Sequence, residues 1–137
     1  SGGIIQMKQT IKTNTFATSS TSFTDVTGLS VTITPQSSSN KVLVLTSLHI
    51  GSGASGRDNK YRIVRGSTNI GSDFFCRRET SNNAITYCDY FLDSPNSTST
   101  QTYKVQILCE NNEVFINRNG SNQDYGQSTI LVMEVGM

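Results

Sequence analysis

Apolar and polar residues alternate with a period of two along most of this chain, and the alternation divides it into short strands. The longest run is Lys41-Val42-Leu43-Val44-Leu45-Thr46-Ser47-Leu48-His49-Ile50. It is apolar on both parities at first, which predicts a strand covered on both faces. Thr129-Ile130-Leu131-Val132-Met133-Glu134-Val135 has the same character, interrupted by one glutamate. Tyr103, Val105, Ile107 and Cys109 form one face of a further strand, with Lys104 and Gln106 on the other. Tyr61, Ile63 and Arg65 alternate with Arg62 and Val64, and weaker strands are predicted over 4–11, 14–18, 22–26, 29–34, 70–76, 84–92 and 113–118. No apolar i, i+3, i+4 stripe lasts two turns, so no helix is expected.

Turn-forming clusters separate these runs at the spacing of an all-β sandwich: Gly28, 35–40, 51–59, Gly66-Ser67, 77–83, 93–99, 110–112 and 117–126. In the stretch FLDSPNSTSTQTYKVQ (91–106), Pro95 lacks the amide a ladder requires, so the chain must leave its sheet there. The polar residues 96–100 then cross to a strand near Thr102, in the opposite sheet. The expectation is one all-β domain of eight to ten antiparallel strands over 4–137, with residues 1–3 a linker or added remnant.

Composition sharpens this picture. The chain has 137 residues, enough for one domain with a real core, yet its apolar fraction is only 34%. Ser, Thr and Asn together supply 48 residues and charged residues only 15%, a balance suited to strand surfaces and turns. The net charge of +1 gives no electrostatic footprint for nucleic acid, and no apolar run is long enough to cross a bilayer. The N-terminal residues carry no basic region or cleavage pattern of a signal peptide. Cys76, Cys88 and Cys109 have no metal-ligand spacing and read as small buried hydrophobes. Two strands that are apolar on both faces, in a sandwich only two sheets thick, need a covering for the outer face, and a homo-oligomer is the economical one.

The order of segments resembles the jelly roll of the C1q and tumour-necrosis-factor type. A long apolar strand (41–50) leads to a loop, a strand-turn-strand around Gly66-Ser67, strands 84–92 and 102–109, an Asn/Gly-rich loop and an apolar closing strand. A narrower resemblance is carried by 21–35 (TSFTDVTGLSVTITP), Lys41-Val42-Leu43-Val44, Phe91-Leu92-Asp93-Ser94-Pro95 and Thr102-Tyr103-Lys104-Val105-Gln106. It is similar to a module of tailed-phage structural proteins, chiefly tail-fibre heads and receptor-binding tips. These resemblances imply a single-domain jelly-roll β-sandwich that forms a homotrimer with its first and last strands side by side near the threefold axis. They imply a virion location, on a tail fibre or capsid surface, and partners comprising further copies of the chain, the rest of the virion and a host-surface receptor, saccharide or protein. The trimer interface is then expected at Leu43, Leu45, His49, Leu131 and Met133.

Candidate chemistry is sparse. His49 is the sole histidine, has no nucleophile motif beside it, and shares a strand face with Leu43, Leu45 and Ser47. Acidic residues are scattered over separate segments, with no pair in the setting a glycosidase needs. Asp58-Asn59 and Asn122 to Asp124 offer oxygen ligands on loops, but no calcium-binding loop of the helical-hand type is present. No catalysis, cofactor, metal, nucleic acid or membrane insertion is expected. Because strand direction alternates, connections 51–59, 77–83 and 118–127 are expected at the end of the sandwich opposite the termini. That distal set supplies Arg57, Asp58, Tyr61, Arg77, Arg78, Glu79, Asn82, Asn83, Arg118, Asn119, Asn122, Asp124 and Tyr125 as candidate receptor-binding residues. Planar guanidinium forks, amphipathic rings and adaptable amides are the groups that recognition surfaces favour. The basal connections 35–40, 66–69 and 93–100 are mostly Ser, Thr, Asn and Gln. The alternative reading is a trimeric capsid-decoration or fibre-capping module with a structural role.

Overall fold

The computed structural model describes residues 2–55, 58–76, 83–124 and 126–137. Within them the chain is all-β, with no helix. The strands are β1 (Ile4–Lys12), β2 (Phe16–Thr18), β3 (Thr24–Ile33), β4 (Lys41–Ser52), β5 (Lys60–Arg65), β6 (Thr68–Asn69), β7 (Phe74–Phe75), β8 (Ala84–Asp93), β9 (Gln101–Leu108), β10 (Val114–Ile116) and β11 (Ser128–Val135). They form two antiparallel sheets in a jelly-roll sandwich.

Sheet A is built on β4. One edge of β4 pairs with β8 over ten residue pairs, and the other pairs with β11 below and β10 above. β1 extends the sheet beyond β11, and β2 extends it beyond β10. Sheet B runs β3-β9-β5, with the short strands β6 and β7 on the far edge of β5. Alternation decides what lies between the sheets. Val42, Val44, Leu48, Ile50, Ile130 and Val132 from sheet A meet Val26, Leu29, Val31, Ile33, Tyr61, Ile63, Tyr103, Val105 and Ile107 from sheet B. All are buried, and burying such side chains contributes about 1.5–3 kcal/mol each relative to leaving them exposed.

The predicted strands 22–26 and 29–34 are one strand, β3. Gly28, at φ 90°, lets the chain pass an irregularity between Asp25 and Ser30 without stopping. The predicted strand 70–76 is reduced to two-residue pairings flanking Gly71, so β5 is thinly covered on that side. The Pro95 corner behaves as expected: β8 ends in sheet A opposite Val42, and β9 begins in sheet B opposite Ile33. Among the cysteines, Cys76 and Cys109 are buried while Cys88 is exposed on β8.

Two buried polar clusters close the basal end, where the two termini lie. Glu134 is fully buried and accepts hydrogen bonds from Asn40 Nδ2 (2.8 Å), Gln6 Nε2 (2.7 Å) and the Gln36 amide (2.6 Å). Burial alone would raise its pKa, but these donors outweigh it and hold the carboxyl below its ordinary 4.5. Beside it, Asp93 accepts from the Tyr103 hydroxyl at 2.6 Å and pairs with Arg65. Burial, then the bond to Asp93, pushes the Tyr103 hydroxyl pKa upward.

Candidate functional site

The outer faces of the two sheets differ in chemistry. On sheet A the outward residues line up in register across four strands. One row is Met7, Met133, Leu43 and Leu92; the next is Gln9, Leu131, Leu45 and Tyr90; a third is Ile11, Thr129, Ser47 and Cys88. Leu43, Leu45, Leu131 and Met133 are half-buried by their neighbours, and the flanking side chains stand open, Met7 at 57% and Tyr90 at 76% exposure. A groove of about 320 Å³ runs through this face past Leu45, Ser47, Cys88, Tyr90 and Leu131. An apolar surface spanning four strands is larger than scattered surface hydrophobics produce.

The outer face of sheet B is polar. Arg62 donates to Gln106 Oε1 at 2.9 Å and stacks over the Phe23 ring, 4.1 Å from its centroid. Asp25 accepts from Lys104 and Gln106, and these bonds, Gln106 foremost, lower its pKa.

His49 lies on the outer face of sheet A, above the apolar rows, with Nδ1 3.1 Å from Thr86 Oγ1. Its neighbourhood overturns the expected position of the 118–127 connection. β10 and β11 share one edge of β4, so the chain leaves and rejoins that edge at the level of His49. Asn117 N donates to His49 O at 2.8 Å, and His49 N donates to Ser128 Oγ at 3.0 Å. The described part of the loop therefore folds over the outer face of sheet A and not over the tip. A Cβ on Gly51 would collide with the Arg118 carbonyl and stand 2.9 Å from Asn119 Cα. A Cβ on Gly126 would reach the His49 ring. Both glycines are required by close approach.

The expected receptor-binding residues accordingly separate. Asp58 and exposed Asn83 are on the distal end. Arg118, Asn122 and Asp124 are together on the flank of sheet A, where the backbones of Arg118 and Asp124 form an isolated antiparallel bridge and the Arg118 guanidinium lies 4.2 Å over the Phe115 ring. Asn119 is fully buried; its Nδ2 donates to Gln123 Oε1, and its Oδ1 accepts the Ser121 and Gln123 amides, so it shapes the loop and offers nothing to a ligand. Tyr61 is also corrected. It points into the core at 1% exposure, stacks on Phe74 with centroids 5.3 Å apart, and donates its hydroxyl to Asp89. The parity of β5 turns Lys60 and Arg62 outward instead. Arg57, Arg77, Arg78, Glu79, Asn82 and Tyr125 lie outside the described residues.

The described residues at the distal end belong to the connections 19–23, 53–55 with 58–59, the flanking Cys76 and Asn83, and 109–113, of which the first and last were not anticipated. A buried asparagine ties three of them together. Asn59 Oδ1 accepts the Glu110 amide at 3.0 Å, Asn59 O accepts the Cys76 amide at 2.8 Å, and Asn59 Nδ2 donates to Ser52 Oγ at 3.2 Å. The only sequence signal for this knot is an Asx residue between two charged ones, which is also the signal of an ordinary turn.

No family model and no curated protein matches the chain. Among solved structures, the tripod from the baseplate of bacteriophage Tuc2009 is similar at 18% identity and TM-score 0.48, over 91% of this chain and 62% of that one. The VP2 subviral particle of infectious bursal disease virus is similar at 10% identity and TM-score 0.51, over 95% of this chain and 39% of that one. The C-terminal domain of EclA, a sugar-binding protein, is similar at 12% identity and TM-score 0.44, over 85% of this chain and 77% of that one. The chain thus spans less than two thirds of the tripod and VP2 chains it matches. The likeness to VP2 is one of fold alone, an all-β sandwich.

Proposed function

We propose that the chain is a self-associating head domain of a virion, without catalytic activity, that recognises a host surface through its distal end. The observation that carries this reading is the contrast between the two outer faces. Sheet A presents one apolar row across four strands and a second that is apolar apart from Gln9, and sheet B a hydrogen-bonded polar surface, so one face suits burial against another copy and the other suits solvent. β1 and β11, the first and last strands, lie side by side next to that apolar face. This is the arrangement the C1q and tumour-necrosis-factor resemblance implies around a threefold axis, and it supports a trimer. Packing there would cover Leu43, Leu45, Leu131 and Met133, with His49 and the 118–124 loop near the upper margin of the interface.

Three distal ends then point the same way, each carrying loops held by Asn59. Several weak sites on one rigid head raise effective affinity without any new contact. The test compares adsorption to host cells of the purified oligomer with that of Leu45→Asp, which puts a charge in the middle apolar row. The oligomer should adsorb and the variant should not. Equal adsorption by a monomeric variant would remove the avidity mechanism, and no adsorption by the intact oligomer would favour the purely structural, decoration or capping role.

A further inference from the structure

The distal end carries a groove of about 340 Å³ between β5, β7 and the 109–113 connection, lined by Thr21, Asp58, Lys60, Phe75, Leu108 and Glu110. Phe75 is 62% exposed, unusual for a phenyl ring on a strand edge. It stays in place because β7 pairs with β5, Lys60 opposite Phe75, and the Lys60 ammonium lies 5.0 Å from the ring centroid. Across the groove, Glu110 Oε2 accepts the Asp58 amide at 2.7 Å, and its other oxygen has no partner among the described residues. Asn59 fixes the floor, joining the amides of Glu110 and Cys76 to the loop that carries Asp58. The polar groups are therefore prepositioned, not loose side chains on a mobile tip.

We infer that this groove is a saccharide subsite, holding one neutral pyranose unit of a surface glycan against Phe75. The inference rests on the receptor reading above and names its ligand class. A pyranose has an apolar C–H face and an equatorial belt of hydroxyls. Phe75 supplies the flat apolar surface, the Glu110 carboxylate an acceptor for hydroxyl protons, and Lys60 a donor to hydroxyl or ring oxygens. Among the described residues lining the groove, two carboxylates stand against one ammonium, which disfavours a phosphate or sialic-type anion. A purely apolar ligand would cover the Glu110 carboxylate and the Lys60 ammonium without offering either a polar partner, at a large desolvation cost.

The test is an amide NMR titration of the isotope-labelled chain with glucose, galactose, N-acetylglucosamine and rhamnose separately. At least one should shift the amides of Lys60, Phe75 and Glu110 together. Phe75→Ala, at an exposed site, should fold with an otherwise unchanged spectrum and weaken that binding about tenfold or more, equivalent to about 1.4 kcal/mol. Glu110→Gln keeps an acceptor for the Asp58 amide and should weaken binding less than Phe75→Ala. No shift with any of the four sugars, or shifts confined to 118–124, overturns the subsite. Adsorption to host cells separates this from the wider reading. If the wild type adsorbs and Phe75→Ala adsorbs equally, the subsite is wrong and the receptor reading stands. If the wild type does not adsorb, the receptor reading fails whatever the titration shows.

Discussion

Glu134 and Asn40 meet in the buried base of the sandwich, with Asn40 Nδ2 donating to the carboxylate at 2.8 Å. The pair joins the last strand to the loop that precedes the central one. Gln6 of β1 and the Gln36 amide complete the carboxylate's shell. Glu134→Ala leaves the buried Asn40 amide without this acceptor and removes a partner of Gln6 and of the Gln36 amide, and should cost about 2–3 kcal/mol. Thermal unfolding should register this as a fall in Tm of about 10 °C.

The same site sets an acid limit. A carboxyl whose folded pKa lies below its ordinary 4.5 contributes stability that is fully present above that value. The contribution is lost as pH falls below 4.5 and through the depressed folded value. Urea unfolding at a series of pH values should show stability declining over that acidic range in the wild type, and a flatter profile in Glu134→Gln. Parallel profiles would mean that another group governs the decline.

Gly51→Ala should be destabilising although it adds one methyl group. The new Cβ meets the Arg118 carbonyl and the Asn119 Cα, both backbone, so no side chain can rotate away. Overpacking of this kind costs about 1–3 kcal/mol. Amide exchange should increase at Asn117 and Asn119, whose donors hold the loop to β4 and to itself.

Asn59→Ala should loosen the distal end while leaving the base intact. It removes the acceptor of the Glu110 amide and the donor to Ser52 Oγ, for about 1–3 kcal/mol. Exchange should accelerate at Glu110, with the amides of β11 unchanged, and any saccharide affinity should fall with it.

Tyr61→Phe separates core from surface. It removes the bond to Asp89 while keeping the ring stacked on Phe74, so a loss of about 1 kcal/mol is expected, with ligand binding unchanged. A binding defect exceeding the stability defect would restore Tyr61 to the recognition surface.

The sandwich was legible because its strands are long and alternate cleanly. Val42, Val44, Leu48 and Ile50 follow the period-two rule, and Leu43, Leu45, Leu131 and Met133 fall on the opposite face as their parity requires. Short elements were not: β6 and β7 hold two residues each, too few for a period to appear. The 118–127 connection was misplaced for a topological reason, since counting alternate connections assumes each strand spans the whole sheet. β10 spans only three residues and shares an edge of β4 with β11. Tyr61 was misread because a tyrosine beside a loop suits either a tip or a core, and only its pairing with Phe74 and Ile107 in β5's neighbours places it inward. Asn59, Phe75 and Glu110 were not among the expected receptor-binding residues, because what unites them is the crossing of loops far apart in sequence.

The central claim is that the apolar outer face of sheet A is covered by further copies of the chain. Light scattering coupled to size exclusion on the purified chain tests it most directly. The chain mass is 14.9 kDa, and the account predicts a species of three times that mass, reduced to one by Leu45→Asp. A wild-type protein that remains a monomer of 14.9 kDa at all concentrations would contradict it.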